Sequence, residues 1–227
     1  MIIGAAANNN LGHSVSTAGD LNKDDRDDIL VGAIGANSEK GAAYIFSGGP
    51  SLSGTISTSI ASATFSGAVI GDRLGNAVSN AGDINADGNP DIVVGAYTAK
   101  GGGSNRGRAY IIIGSASGIG SCDLASCNIG TTIPGAIITG GVDDDRLGSI
   151  VSTVGNVNGD GFDDIMITAP GAAGGKGRVY IFLGTGSANG IADCDISAGC
   201  VVGSVDHPGA TITGATASDS LGAPVLE

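Results

Sequence analysis

Short apolar runs rich in β-branched side chains alternate along this chain with longer stretches of Gly, Ser, Asn and Asp. One set comprises Ile29-Leu30-Val31-Gly32-Ala33, Ile92-Val93-Val94-Gly95-Ala96 and Ile165-Met166-Ile167-Thr168-Ala169-Pro170. A second set follows each of these: Ala43-Tyr44-Ile45-Phe46, Ala109-Tyr110-Ile111-Ile112-Ile113 and Val179-Tyr180-Ile181-Phe182-Leu183. Runs this short, bounded by turn residues, predict strands. Leu11-Gly12, Leu74-Gly75, Leu147-Gly148 and Leu221-Gly222 recur at intervals of 63, 73 and 74 residues, each Leu seven residues after a glycine (Gly4, Gly67, Gly140, Gly214). Each unit therefore holds four strand candidates, which in the second are Leu74–Ser79, Ile92–Val94, Ala109–Ile113 and Ala136–Thr139. Four-stranded repeats of this period predict β-propeller blades, whose faces are buried against their neighbours.

The polar stretch before each first-set run is itself repeated. It reads Asp20-Leu21-Asn22-Lys23-Asp24-Asp25-Arg26-Asp27-Asp28, then Asp83-Ile84-Asn85-Ala86-Asp87-Gly88-Asn89-Pro90-Asp91, then Asn156-Val157-Asn158-Gly159-Asp160-Gly161-Phe162-Asp163-Asp164. Oxygen-bearing side chains fall at positions one, three, five and nine. Calcium takes six to eight oxygens at about 2.3–2.6 Å, and alternate residues of a sharply turning loop supply them. The candidate ligands are the side chains of Asp20, Asn22, Asp24 and Asp28, of Asp83, Asn85, Asp87 and Asp91, and of Asn156, Asn158, Asp160 and Asp164. The position-seven carbonyls of Arg26, Asn89 and Phe162 complete the three sets. An EF-hand begins with the same alternation but needs a bidentate Glu at position twelve and flanking helices; here Val31, Val94 and Ile167 occupy that position, inside strand candidates. Position six is Gly88 and Gly161 in two loops but Asp25 in the first, where a left-handed backbone suits Asp less well than Gly.

Composition sharpens this picture. The 227 residues include 42 Gly, no Trp, 4 Phe and 4 Tyr, so the core must be packed from small and β-branched side chains. Of the 22 acidic residues, eleven lie in the three loops, and three divalent ions would bring the net charge from −12 to −6. With 10 basic residues, the chain lacks the Lys/Arg clusters that phosphate neutralisation requires, which argues against nucleic acid as a partner. No apolar run is long enough to insert into a membrane, and the opening Met1–Ala7 lacks the basic start of a signal peptide.

The order of Leu-Gly, acidic loop, apolar strand, a Gly-Ala or Ala-Pro pair, and then G-x-[AV]-Y-I-[FI] resembles the FG-GAP repeat of integrin α-subunit propellers and of many bacterial secreted proteins. Leu replaces the first Phe throughout, and the closing triplets are Gly32-Ala33-Ile34, Gly95-Ala96-Tyr97 and Thr168-Ala169-Pro170. The resemblance spans nearly the whole chain as repeats 6–66, 67–139 and 140–213 with a partial repeat 214–227. It implies an all-β fold of four-stranded antiparallel blades, excerpted from a propeller of about seven blades or completed by self-association with a second copy. It also implies structural calcium in the three loops, on the face away from a ligand platform for an extracellular protein or glycan. Because FG-GAP repeats also accompany secreted hydrolases and lyases, an accessory or catalytic propeller is the alternative. No catalytic constellation appears in the sequence: there is no G-x-S-x-G elbow, and His13 and His207 stand alone.

Two further features complete the reading. Cys122/Cys127 and Cys194/Cys200 occupy matching insertions between third and fourth strands; among three connectivities the repeat favours the two local pairs, each closing a small hairpin. Disulfides imply an oxidising compartment, extracellular, cell-surface or periplasmic. Gly101–Gly107 reads as a flexible hairpin tip, since it lacks the Lys and following helix of a phosphate loop, and the terminal Leu226-Glu227 reads as a cloning remnant.

Overall fold

The computed structural model describes residues 1–204 and 209–223; His207 and the Leu226-Glu227 pair lie outside them. The chain opens with a short strand, β1 (Ile2–Ile3). The first unit contains β2 (Leu11–Gly19), β3 (Asp28–Ala33), β4 (Ala42–Phe46), a short β5 (Ile56–Ser57) and β6 (Ala63–Ser66). The second contains β7 (Val78–Gly82), β8 (Asp91–Ala96), β9 (Arg108–Ile112), a short β10 (Cys122–Asp123) and β11 (Gly135–Thr139). The third contains β12 (Val151–Gly155), β13 (Asp164–Ala169), β14 (Arg178–Phe182), a short β15 (Cys194–Asp195) and β16 (Gly209–Thr213).

Within each unit the four long strands form an antiparallel meander, ordered β2-β3-β4-β6, β7-β8-β9-β11 and β12-β13-β14-β16. The register repeats: Val31 faces Tyr44, Val94 faces Tyr110, and Ile167 faces Tyr180. The innermost strands β2, β7 and β12 lie side by side, so the sheets fan out from a common axis as three propeller blades.

Both faces of the second sheet are apolar because both are covered. Leu30, Ala43, Ile45 and Phe65 of the first blade interlock with Ile92, Val94, Tyr110 and Ile112 of the second. Val93, Ile111 and Ile138 on the opposite face of the second blade meet Ile165, Ile167, Tyr180 and Phe182 of the third. Position two of the acidic loops joins this packing: Leu21 and Ile84 are buried, whereas Val157 is 56% exposed.

Glycine sets the blade spacing. A Cβ at Gly95 would stand 2.2 Å from the Gly148 carbonyl oxygen of the next blade. Gly95→Ala is therefore expected to lower stability by about 1–3 kcal/mol through overpacking, measurable by urea unfolding. The third blade has Thr168 at this position, and the structure shows how it is accommodated. Thr168 Oγ1 donates to the Gly222 carbonyl at 2.7 Å, as Ser14 Oγ donates to the equivalent Gly75 carbonyl at 2.8 Å.

Three expectations need correction. The strand predicted from Leu74 begins only at Val78, because Arg73 (φ 55°) and Gly75 (φ 82°) are left-handed and turn Leu74 into a buried plug bridged to Gly41. The Gly101–Gly107 segment is no free tip. Ser104 N–H donates to Asp143 Oδ1 (3.0 Å) and Asn105 Nδ2 to Asp144 Oδ1 (2.9 Å), so it seats the start of the third blade. The disulfides Cys122–Cys127 and Cys194–Cys200 form as expected, but they close tight turns and not hairpins. The strand each one holds crosses to the preceding blade: Cys122 pairs in parallel with Phe65 of β6, and Cys194 with Ile138 of β11. Short loops of this size contribute about 2 kcal/mol in the chain-entropy picture. Ile212 of β16 has the register position of Phe65 and Ile138 and is 52% exposed.

Candidate metal centres

The three acidic loops connect β2 to β3, β7 to β8 and β12 to β13, at one end of the fan. Each is folded by its own side-chain oxygens. In the second loop, Asp87 N–H donates to Asp83 Oδ1 (3.0 Å) and to Asn85 Oδ1 (3.1 Å), and Asn89 N–H donates to Asp87 Oδ1 (2.8 Å). The first loop repeats this with Asp24 N–H to Asp20 and Asn22, and Arg26 N–H to Asp24. In the third, Asp160 N–H donates to Asn156 and Asn158, and Phe162 N–H to Asp160. These bonds turn positions one, three and five toward the loop interior.

The backbone turns twice through the left-handed region. Position six is left-handed in all three loops, at Asp25 (φ 65°), Gly88 (φ 84°) and Gly161 (φ 98°), as the sequence suggested. Position four is left-handed too, at Lys23, Ala86 and Gly159. That turn was hidden because two of its occupants are ordinary side chains.

Position nine differs from the others in being fully buried: Asp28, Asp91 and Asp164 are at most 1% exposed. Its carboxylate ties the loop to the blade. Asp91 Oδ2 accepts from Ile84 N–H and Oδ1 from Gly114 N–H, both at 2.8 Å. Asp28 bridges Leu21 and Gly48, and Asp164 bridges Val157 and Gly184, in the same way. Gly48, Gly114 and Gly184 are anchors that sequence reasoning missed, although a glycine follows every third strand at a matching place.

Burial pushes the Asp91 carboxyl up to about 7; the two N–H donors oppose the shift, and the carboxylates of Asp87 and Asp83 add to it. Asp28 is raised in the same way, by burial first, with Asp24 and Asp20 contributing. These acids thus lie close enough to repel one another. The cations nearby are peripheral: Arg26 Nη1 lies 3.6 Å from Asp24 Oδ2 at the exposed rim, and Lys23 Nζ donates to the Gly88 carbonyl. Among the described residues no three His, Cys, Asp or Glu side chains converge as a ready-made cluster. The donor set is instead distributed around each loop and consists of carboxylate, amide and main-chain oxygens, a chemistry that fits a hard cation.

At the opposite end of the fan, a cavity of about 580 Å³ is lined by His13, Asn76, Tyr97, Arg146, Ser149 and Pro170 among others. His13, Asn76 and Ser149 each stand two residues after a repeat leucine, so the cavity surrounds the axis. The residues that line this cavity together with His13 belong to other blades and are distant from it in sequence.

The FG-GAP repeat family matches residues 11–46, 74–112 and 147–182, one match per blade. Integrin alpha-5 of Xenopus laevis is 32% identical over 179 residues, covering 76% of this chain and 15% of that protein. Integrin alpha-PS5 of Drosophila melanogaster is 31% identical over 175 residues, 75% of this chain and 16% of that protein. Human integrin alpha-X is 37% identical over 87 residues, 37% of this chain and 7% of that protein. The chain belongs to the FG-GAP repeat family and is integrin-α-like in its propeller blades. It spans less than a fifth of these relatives' lengths.

Proposed function

We propose that this chain is an extracellular, non-enzymatic binding module for adhesion, whose blades are stabilised by one calcium ion in each acidic loop and whose ligand is a protein or glycan. The observation that carries the calcium reading is the threefold recurrence of one hydrogen-bonded loop ending in a buried, blade-anchored aspartate. Bound calcium would supply the positive charge that these clustered carboxylates lack. Asp20, Asn22, Asp24 and Asp28, their counterparts Asp83, Asn85, Asp87 and Asp91, and Asn156, Asn158, Asp160 and Asp164 would hold it, with the carbonyls of Arg26, Asn89 and Phe162. The ion's role is structural: the position-nine carboxylate already grips two backbone N–H groups, so fixing it fixes the strand entry. The ligand platform is the opposite end, around the axial cavity that includes His13, Tyr97 and Arg146.

Two disulfides support an oxidising, extracellular setting. No helix among the described residues is long and apolar enough to cross a membrane. Repeats 6–66, 67–139 and 140–213 with the opening of a fourth are the proposed units, matched to the loops and leucines.

Chelation followed by titration tests the calcium reading. At free calcium 100 times the dissociation constant each site adds about 2.7 kcal/mol. Thermal melts should therefore rise in steps with calcium, and a melting curve indifferent to chelator overturns the reading. The second loop should bind most tightly. The first has Asp25 in a left-handed turn and Arg26 paired to Asp24, and the third offers two ligand carboxylates against three. By calorimetry, Asp87→Ala should remove the tightest phase while Asp24→Ala leaves it in place.

A further inference from the structure

The second and third loops are joined by bonds through the backbone of Asp83 and through the buried position-nine carboxylates. Asp163, position eight of the third loop, accepts from Asp83 N–H at Oδ2 (2.9 Å), and its own N–H donates to the Asp83 carbonyl (3.1 Å). Gly82 makes this approach possible, because a Cβ there would stand 2.2 Å from Asp163 Oδ2. One residue on, a second connection runs between the buried carboxylates. Ile84 N–H donates to Asp91, the Ile84 carbonyl accepts from Thr185 N–H (3.0 Å), and the adjacent Gly184 N–H donates to Asp164 (2.9 Å). The junction of first and second loops is built differently. Position eight there is Pro90, whose ring packs on Gly19 and which has neither an N–H nor an acceptor side chain, so the two loops are bonded there through the exposed Lys23 side chain, whose Nζ donates to the Gly88 carbonyl.

We propose that Asp163 is a positioning residue that couples cation binding at the second and third loops, through a backbone connection that the Pro90 junction with the first loop lacks. The coupling rests on the calcium reading above. Ordering Asp83 by a bound cation orders the peptide that Asp163 grips, and this presets the neighbouring Asp164, so the second ion meets a loop whose freedom is already spent. Linkage makes the effect reciprocal.

The test is a CaCl2 titration of the whole chain, followed by NMR at the position-six amides of Asp25, Gly88 and Gly161, which report the loops separately. In Asp163→Ala the Gly88 and Gly161 midpoints should move to about five- to tenfold higher calcium, with Asp25 unmoved. Asp27→Ala, at the same position of the first loop and exposed, should move neither Gly88 nor Gly161. Asp160→Ala should weaken the Gly88 midpoint, and Asp87→Ala the Gly161 midpoint, by one common factor that vanishes in the Asp163→Ala background. An unchanged Gly88 midpoint in Asp163→Ala, or equal shifts at all three amides, overturns the coupling alone. Absence of any saturable shift in the unsubstituted chain overturns the calcium reading and the coupling with it.

Discussion

Asp91→Ala is expected to destabilise the calcium-free protein by about 3–5 kcal/mol as well as abolishing the second site. The substitution strips acceptors from two N–H groups, Ile84 and Gly114, that point into a region where Asp91 is 0% exposed. Each buried orphan donor costs about 1–3 kcal/mol, and the void left behind adds to that. Asp87→Ala provides the contrast, since Asp87 is exposed and its loss should erase the calcium response of this loop while changing calcium-free stability by about 1 kcal/mol or less. Urea unfolding of both variants, with and without chelator, measures the difference. Equal losses would mean that the position-nine carboxylate is an ordinary ligand and no anchor.

The second large effect is a reversal of pH dependence by calcium. Asp91 has its folded-state carboxyl raised to about 7 from 3.8. A group raised in the folded state favours folding while protonated, so that contribution is full below the unfolded value and is lost as pH climbs through about 7. In chelator the protein should therefore lose stability between pH 5 and pH 8, by on the order of 2–3 kcal/mol from this residue. With saturating calcium the carboxylate must be ionised to bind, and stability should instead rise over the same interval. Melts at pH 5.5 and pH 8 in both conditions give the sign directly, and calcium addition near pH 6 should release protons into a weakly buffered solution.

Much of this was legible in the chain itself. The apolar runs Ile29–Ala33, Ile92–Ala96 and Ile165–Ala169 became second strands because alternate residues on both faces are apolar, as sheets buried on two sides require. Ligand positions one, three, five and nine were legible because the chemistry of a hard cation restricts residue type. The position-nine anchors were not, since every residue carries a backbone N–H and only the fold selects Gly48, Gly114 and Gly184. Leu74 misled because an apolar residue before a glycine looks like a strand start, whereas left-handed neighbours decide its path. The cysteine strands were missed for a related reason: a two-residue strand has no periodicity, and its partner lies more than fifty residues away.

Those cysteine strands also decide how the molecule can be divided. The first and second blades each borrow their outermost rung from the following blade, so a cut drawn between repeats, at residue 67 or residue 140, separates β6 or β11 from the strand that shields it. The repeats are overlapped shingles, and a cut that keeps an outer rung intact must fall after the next blade's disulfide turn.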